Sequence, residues 1–472
     1  MFGIQFTFDP ENTLVWIEIY FRNLTLEIRT KETTSVTTLQ HAGSAQAQRN
    51  RRRALFASVF GTAIEWYDYA LYGAAASVVI GPLFFSGAGD SAASIAAFAT
   101  FAVGFVARPL GGVVIGHLGD RYGRRPAMLL SIILMGIATV GIGLLPTAQS
   151  WGAWSVGLLV LFRLVQGFGA GAELTGAMTL VAEYSEPKKR GFYTSLVLST
   201  PPLGIALATI CFFLVSLPGE EVLLGWAWRI PFLVSALLFV VAIYIRNKLE
   251  ETPEYAKTME AAKTNADSAK LPVREVFESH TPRVILGFFA ITGHNAVNYI
   301  IAVFSISLMV SSGMDRSAAL LAVTLGSLVS VLLTPLGGWL ADRYGASRVL
   351  AAGNVSGVLL AFPIFWMLAT DQFLFGLLAV AAGYALIIPC TSGAQGAFLT
   401  ELFPVKVRFS GIAIARELNG ALVAGLSPLI AAALLELGNG SITLPATYLA
   451  ACCLSSVIAI YLGTRATKRQ LY

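Results

Sequence analysis

Apolar residues run through this chain in stretches of twenty or more, broken by short polar loops. A bilayer core about 30 Å thick needs roughly 20 mostly apolar residues per crossing helix, so each stretch predicts a membrane span. Only helices or closed barrels satisfy their backbone polar groups in lipid. Barrel strands would alternate about every second residue, and these stretches are continuous, so helices are expected. The expected spans are 55–82, 92–118, 126–146, 153–182, 191–217, 227–246, 282–311, 317–341, 347–369, 372–400, 409–435 and 444–464. Connections are short except for 247–281, a charged stretch rich in Glu, Lys and Thr that reads as a linker. The expectation is an all-α membrane protein: six spans in 51–246, a cytoplasmic linker, and six more in 282–465.

Composition agrees with this pattern. Only 12% of residues are charged and 56% are hydrophobic, against about 25% charged in soluble proteins. Mean hydropathy is +0.70. The net charge of +5 does not point to nucleic acid, because the basic residues fall in the loops. Arg51, Arg52 and Arg53 precede span one, Arg121, Arg124 and Arg125 follow span two, and Lys188, Lys189 and Arg190 follow span four. Arg343, Arg348, Lys406, Arg408, Arg465, Lys468 and Arg469 continue the series, while the opposite loops hold Asp90, Glu220, Glu221, Asp315 and Asp371, with Arg316 as an exception. The positive-inside rule then puts both termini in the cytoplasm, as an even span count requires.

Residues 1–50 fit no span: the apolar run from Leu14 to Phe21 is too short and Glu18 interrupts it. They read as a disordered cytoplasmic tail, or as sequence upstream of the true start, and 466–472 as a second tail. Cys211, Cys390, Cys452 and Cys453 lie within apolar stretches and read as small core residues. No metal-ligand spacing, phosphate-cradling loop or nucleophile motif is present, so no cofactor and no enzyme activity are expected.

The two halves repeat. Gly116-His-Leu-Gly-Asp120-Arg121-Tyr122-Gly123 returns as Gly338-Trp-Leu-Ala-Asp342-Arg343-Tyr344-Gly345, an offset of 222 residues. Glu183 and Arg190 return as Glu401 and Arg408, an offset of 218. Parallel six-span repeats place a substrate site near the bilayer midplane between the halves, with rocking for alternating access.

The loop Gly116-His-Leu-Gly-Asp-Arg-Tyr-Gly-Arg-Arg125 resembles the signature of the major facilitator superfamily. Within it, the chain resembles the metabolite–proton symporter branch, whose members include shikimate, α-ketoglutarate, citrate and proline/betaine carriers. The matching runs are Ile64-Glu-Trp-Tyr-Asp-Tyr69, Leu71-Tyr-Gly73, 98–112, Arg163-Leu-Val-Gln-Gly167, Trp228-Arg-Ile-Pro-Phe232 and Leu249-Glu-Glu-Thr-Pro-Glu-Tyr255. One run departs: Gly171-Ala-Glu173-Leu-Thr-Gly176 stands where the branch usually has Gly-Gly-Glu-Trp-Gly-Gly, so substrate choice is open to difference. The resemblance implies a bacterial inner-membrane protein that works as a monomer, and a cytoplasmic latch. In the latch, Asp120 or Glu183 pairs with Arg121 and Arg124, with Asp342 and Arg343 as a degenerate second copy. The alternative for these arginines is that they only set orientation. Glycines 116, 119 and 123 would allow close helix approach and a tight turn, and Asp120 could accept from the free N–H groups that begin span three.

Charges within spans are costly, at least about 2.5–3.5 kcal/mol each at mid-helix, so they face a cavity or a partner. Glu65 lies about 15 Å into span one, at about 1.5 Å per residue, and shares a face with Gly61, Asp68 and Tyr72. Arg108 is at comparable depth in span two, which predicts an acid–arginine cluster. Span four adds Arg163, Gln166 and Glu173; span seven adds His294, Asn295, Asn298 and Tyr299; span eleven adds Arg416, Glu417 and Asn419. A carboxyl shielded from water takes up a proton more readily, and a neighbouring guanidinium expels it again. Glu65 or Asp68, then Glu173, are the expected proton carriers. His294 is a further titratable candidate, or a hydrogen-bonded packing residue. Arg108, Arg163 and Arg416 favour an anionic or zwitterionic substrate, because guanidinium pairs with carboxylate through two hydrogen bonds. The expectation is proton-coupled uptake of a small organic acid. An osmolyte symporter, a drug–proton exporter and a non-transporting membrane sensor are the alternatives.

Overall fold

Twenty apolar residues in lipid have one economical solution, and the described residues of the computed structural model adopt it almost everywhere. They are 62–122, 124–171, 181, 185, 187–248, 276, 280–404 and 407–468, with the side chains of 119–125, 244–248 and 467–468 excluded. All belong to one compact unit, Ala57–Tyr472. Residues 1–50 and most of the expected linker lie outside them.

The helices in chain order are α1 (62–84), α2 (Asp90–Tyr122), α3 (Arg124–Leu144), α4 (Ala153–Gly169), α5 (Arg190–Ser216) and α6 (Glu220–Ala227 with Arg229–Lys248). The second set is α7 (Thr281–Ser311), α8 (Arg316–Tyr344), α9 (Ala346–Leu368), α10 (Phe373–Leu402), α11 (Arg408–Leu437) and α12 (Thr443–Lys468). Among the described residues nine are long and apolar enough to cross a bilayer, and α6 makes a tenth with a 48° bend. The described parts of α1 and α4 complete the expected twelve. The protein is thus an all-helical, polytopic membrane protein.

Within each half the helices pack on one another: α2, α3 and α4 with α6 on α3, and α7, α9 and α10 around α12. The halves meet along α5 and α8, along α1 and α7, and along α2 and α11. Small residues set how closely these helices cross. A Cβ on Gly167 would collide with the Gly104 carbonyl, which brings α4 hard against α2. Gly191 and Gly338 do the same for α5 and α8, since a Cβ on either would strike the other's carbonyl oxygen.

Irregular turns free backbone groups for use between the halves. Pro202 has no N–H to offer the Leu198 carbonyl, which accepts from Ser392 Oγ of α10 at 3.0 Å. Helices α1 and α7 each contain one π-helical stretch, Ala76–Ile80 and Ile300–Phe304, at matching places in the repeat. There Ser77 Oγ donates to the Val303 carbonyl at 2.8 Å, joining the two ends near the acidic loops.

Candidate functional site

Arg108 on α2 occupies the junction between the halves. Its Nη2 donates to Glu65 Oε1 of α1 and its Nε to Glu417 Oε2 of α11, each at 3.3 Å. Its guanidinium also stacks on the Tyr69 ring, 4.9 Å from the centroid. Glu65 and Arg108 are buried, and the Glu417 side chain is 14% exposed, making it the most accessible of the three. One guanidinium therefore ties a carboxylate of its own half to a carboxylate of the other. This is the acid–arginine cluster expected from the spacing of Glu65 and Arg108, with Glu417 added.

Asp68, expected to share that cluster, turns away from it. Its carboxylate accepts from Thr139 Oγ1 of α3 and from Gln166 Nε2 of α4, the latter at 2.5 Å. Gln166 Nε2 also donates to Thr139 Oγ1 at 2.8 Å, and Gln166 Oε1 accepts from Arg163 Nη1. Arg163 then spends its remaining donors on the carbonyls of Thr100 (3.3 Å) and Phe101 (2.9 Å) of α2. Tyr72 closes the arrangement: its ring lies 3.9 Å under the Arg163 guanidinium and its hydroxyl bonds Thr100 Oγ1 at 2.6 Å. All of these side chains are buried, so α1, α2, α3 and α4 are locked by one polar knot.

The second half holds a sparser set. His294 Nδ1 pairs with Thr391 Oγ1 at 2.9 Å, and Asn295 Nδ2 donates to Asn419 Oδ1 at 2.6 Å. Asn419 Nδ2 bonds the Phe288 carbonyl and Thr292 Oγ1, both at 2.8 Å, and Asn298 is buried on the same helix. Arg416 Nη1 donates to Gln395 Oε1 at 3.2 Å. No carboxylate of the described residues lies within ion-pair distance of Arg416, so this cation differs from Arg108.

Between the halves, beside the Arg108 junction, a cavity is walled by Trp66, Tyr69, Phe101, Ile205, Tyr299 and Val303. Its walls are mostly aromatic, and the rings brace one another: Tyr299 lies 6.2 Å from Trp66 and 6.0 Å from Phe101. Position and lining match a small-molecule site, apolar with a few placed polar groups.

At the basic end, Asp342 of α8 accepts from the backbone N–H groups of Gly191 and Phe192, at 2.7 and 2.8 Å. A carboxylate thus caps the first turn of α5, where free N–H groups and the helix dipole favour an anion. The second signature copy therefore acts across the halves, whereas the expectation for Asp120 was a cap on the next helix of its own half. Arg343 is exposed and lies over the Trp339 and Tyr344 rings instead. A Cβ on Gly116 would meet nothing within 4 Å, so close approach belongs to its counterpart Gly338. Glu173, Glu183 and Gly123 lie outside the described residues, as do the side chains of Asp120, Arg121 and Arg124.

Sequence reasoning missed Thr139, Gln395 and Thr391, neutral residues that carry no cost signal in a span. It also passed over Trp66 and Tyr69 as walls, though both lie in the Ile64-to-Tyr69 run that carried the resemblance.

A family model described as Major Facilitator Superfamily matches residues 54–428. Among curated proteins, the chain is 35% identical over 438 residues to the shikimate transporter of Escherichia coli K12, covering 91% of this chain and 98% of the relative. It is 34% identical to the E. coli K12 inner membrane metabolite transport protein YhjE, covering 92% of this chain and 99% of that protein. It is 35% identical to the glycine betaine/proline/ectoine/pipecolic acid transporter OusA of Dickeya dadantii, covering 84% and 80%. Among solved structures, the partially occluded inward-open xylose transporter XylE of E. coli superposes with a TM-score of 0.66 at 17% identity, covering 87% of this chain and 96% of that one.

Proposed function

The chain belongs to the major facilitator superfamily, and from that premise we propose that it is a proton-coupled symporter for a small anionic metabolite, working by alternating access. The observation that carries the reading is the Arg108 bridge to Glu65 and Glu417. Three charges at the junction of two halves are a proton exchanger and a mechanical tie at once. When Glu417 takes a proton it stops holding Arg108, and the α2–α11 contact weakens. When the proton leaves, the pair closes again. Glu417 exchanges the proton and Glu65 shares it; Asp68 holds Gln166 and Thr139 in place. Glu173 is kept as a candidate of the same class.

Arg416 and the polar groups of α7, His294, Asn295 and Asn298, face substrate from the second half, and Asp342 on the first turn of α5 latches the basic end. That end is cytoplasmic in our reading, with both termini inside and the protein multi-pass in a bacterial inner membrane. It acts as a monomer. The boundaries 51–246 and 282–465 serve as the two rocking bodies. The osmolyte reading, proline or betaine with protons, gains from the aromatic cavity and from relatives named for those solutes.

Uptake into proteoliposomes decides between them. An inward proton gradient is expected to drive accumulation of a labelled organic acid, and an uncoupler to abolish it. Equilibration indifferent to the gradient would overturn proton coupling.

A further inference from the structure

Two donors in the cavity have nothing to bond. Trp66 Nε1 and Tyr69 Oη are buried, and neither has a hydrogen-bond partner among the described residues. Both residues wall the same cavity, and they are 8% and 2% exposed. A buried donor left unmade costs about 1–3 kcal/mol, so such pairs are kept where a ligand supplies the acceptors. The ligand therefore brings oxygens as well as an apolar body that fills the space among the rings.

The same walls disfavour a cationic headgroup. Aromatic cages bind ammonium groups by offering ring faces, but faces here already hold guanidinium groups. Arg108 lies over Tyr69 at 4.9 Å and Phe105 at 5.7 Å. Arg163 lies over Phe101 at 5.6 Å and Tyr69 at 5.7 Å. A trimethylammonium among these rings would sit close to two fixed positive charges. Arg416 offers the opposite: a guanidinium whose bond among the described residues goes to the neutral amide of Gln395, on a helix that meets α2 at the Arg108 bridge. Its charge is matched by the surplus of two carboxylates on Arg108, so one incoming carboxylate with one proton leaves the junction neutral.

Resting on the symport reading, we propose that this cavity is a subsite for the oxygen-bearing ring of a monocarboxylic acid, in which Trp66 Nε1–H and Tyr69 Oη–H donate to ring oxygens and Arg416 receives the carboxylate. The site discriminates against the same ring without oxygens, because its two donors would stay unpaired.

The test is proton-driven uptake of labelled shikimate into proteoliposomes. Unlabelled shikimate, cyclohex-1-ene-1-carboxylate (the same ring and carboxylate without hydroxyls) and glycine betaine serve as competitors. Wild type is expected to prefer shikimate over the hydroxyl-free acid by at least about tenfold and to ignore betaine. Trp66→Phe and Tyr69→Phe keep the rings and remove one donor each, and each should shrink that preference about threefold to tenfold. Arg416→Gln should weaken both acids by about tenfold or more. Equal loss for both acids in both aromatic variants would overturn the donor assignment, and effective competition by betaine would overturn the substrate class. If shikimate fails while another solute accumulates with the gradient, this proposal falls and symport stands. If nothing in a panel of acids, proline and betaine accumulates with the gradient, both fall.

Discussion

Arg108 and Arg163 look alike in the sequence, yet their partners give them different work. Arg108 holds two carboxylates from opposite halves, while Arg163 is bound to Gln166 and to the carbonyls of Thr100 and Phe101 within one half. Mutants should separate these roles. Glu417→Gln removes a charge from the bridge but keeps a hydrogen-bond acceptor, so the fold should survive with a thermal midpoint near wild type. Proton-driven accumulation should fall by at least about a hundredfold, while exchange of substrate across the membrane continues. Asp68→Ala should do the reverse in kind. It leaves Gln166 Nε2 and Thr139 Oγ1 without their acceptor and the Arg163 charge unbalanced, at a cost of about 3–5 kcal/mol. A clear drop of the thermal midpoint in detergent, with Asp68→Asn intermediate, would confirm a positioning residue; an unchanged midpoint would return Asp68 to the list of proton carriers.

The residues that sequence could flag were those that are expensive in lipid. Glu65, Arg108, Arg163, Arg416 and Glu417 all announced themselves by charge, and all are found within or beside the junction. What spacing could not reveal was which charge meets which, since Glu65 and Asp68 share a helix face yet reach different neighbours. Thr139 and Gln395 gave no signal, because a neutral side chain costs little until its partner is known.

At the scale of the element, the twelve spans were legible because lipid imposes length and continuity on each crossing helix. Observed ends differ from the expected ones by a few residues at most where they are described, as for α9 at Ala346–Leu368. Less legible were the bend of α6 and the π-helical stretches of α1 and α7. These depend on packing between elements that are far apart in the chain. They matter because they carry the ties that must break in alternation. Asp342→Ala removes the cap on α5, worth about 1 kcal/mol, and should shift the closed-to-open balance at the basic end about fivefold. Faster maleimide labelling of a Thr194→Cys probe in a cysteine-free background would register the shift. Ser77→Ala removes the bond to Val303 and should loosen the opposite end, slowing that labelling instead. The same direction of change in both variants would argue against two opposed gates.

For the whole molecule, the account joins two bodies by ties of different chemistry. The ends are held by neutral or backbone-directed bonds, Ser77 to Val303 and Asp342 to Gly191 and Phe192. The middle is held by charges that a proton can unmake. Such an arrangement couples a gradient to rocking without any further cofactor. The duplicated signature loop was enough to foresee two related halves, but its second copy acts between the halves, on α5, a contact no single-chain periodicity reports. The most direct check of the central claim is uptake of a labelled organic acid by proteoliposomes, with and without an inward proton gradient, for wild type and Glu417→Gln side by side. The account expects uphill accumulation in wild type only with the gradient, and only downhill equilibration or exchange in Glu417→Gln under either condition. Gradient-driven accumulation in Glu417→Gln equal to that of wild type would contradict it.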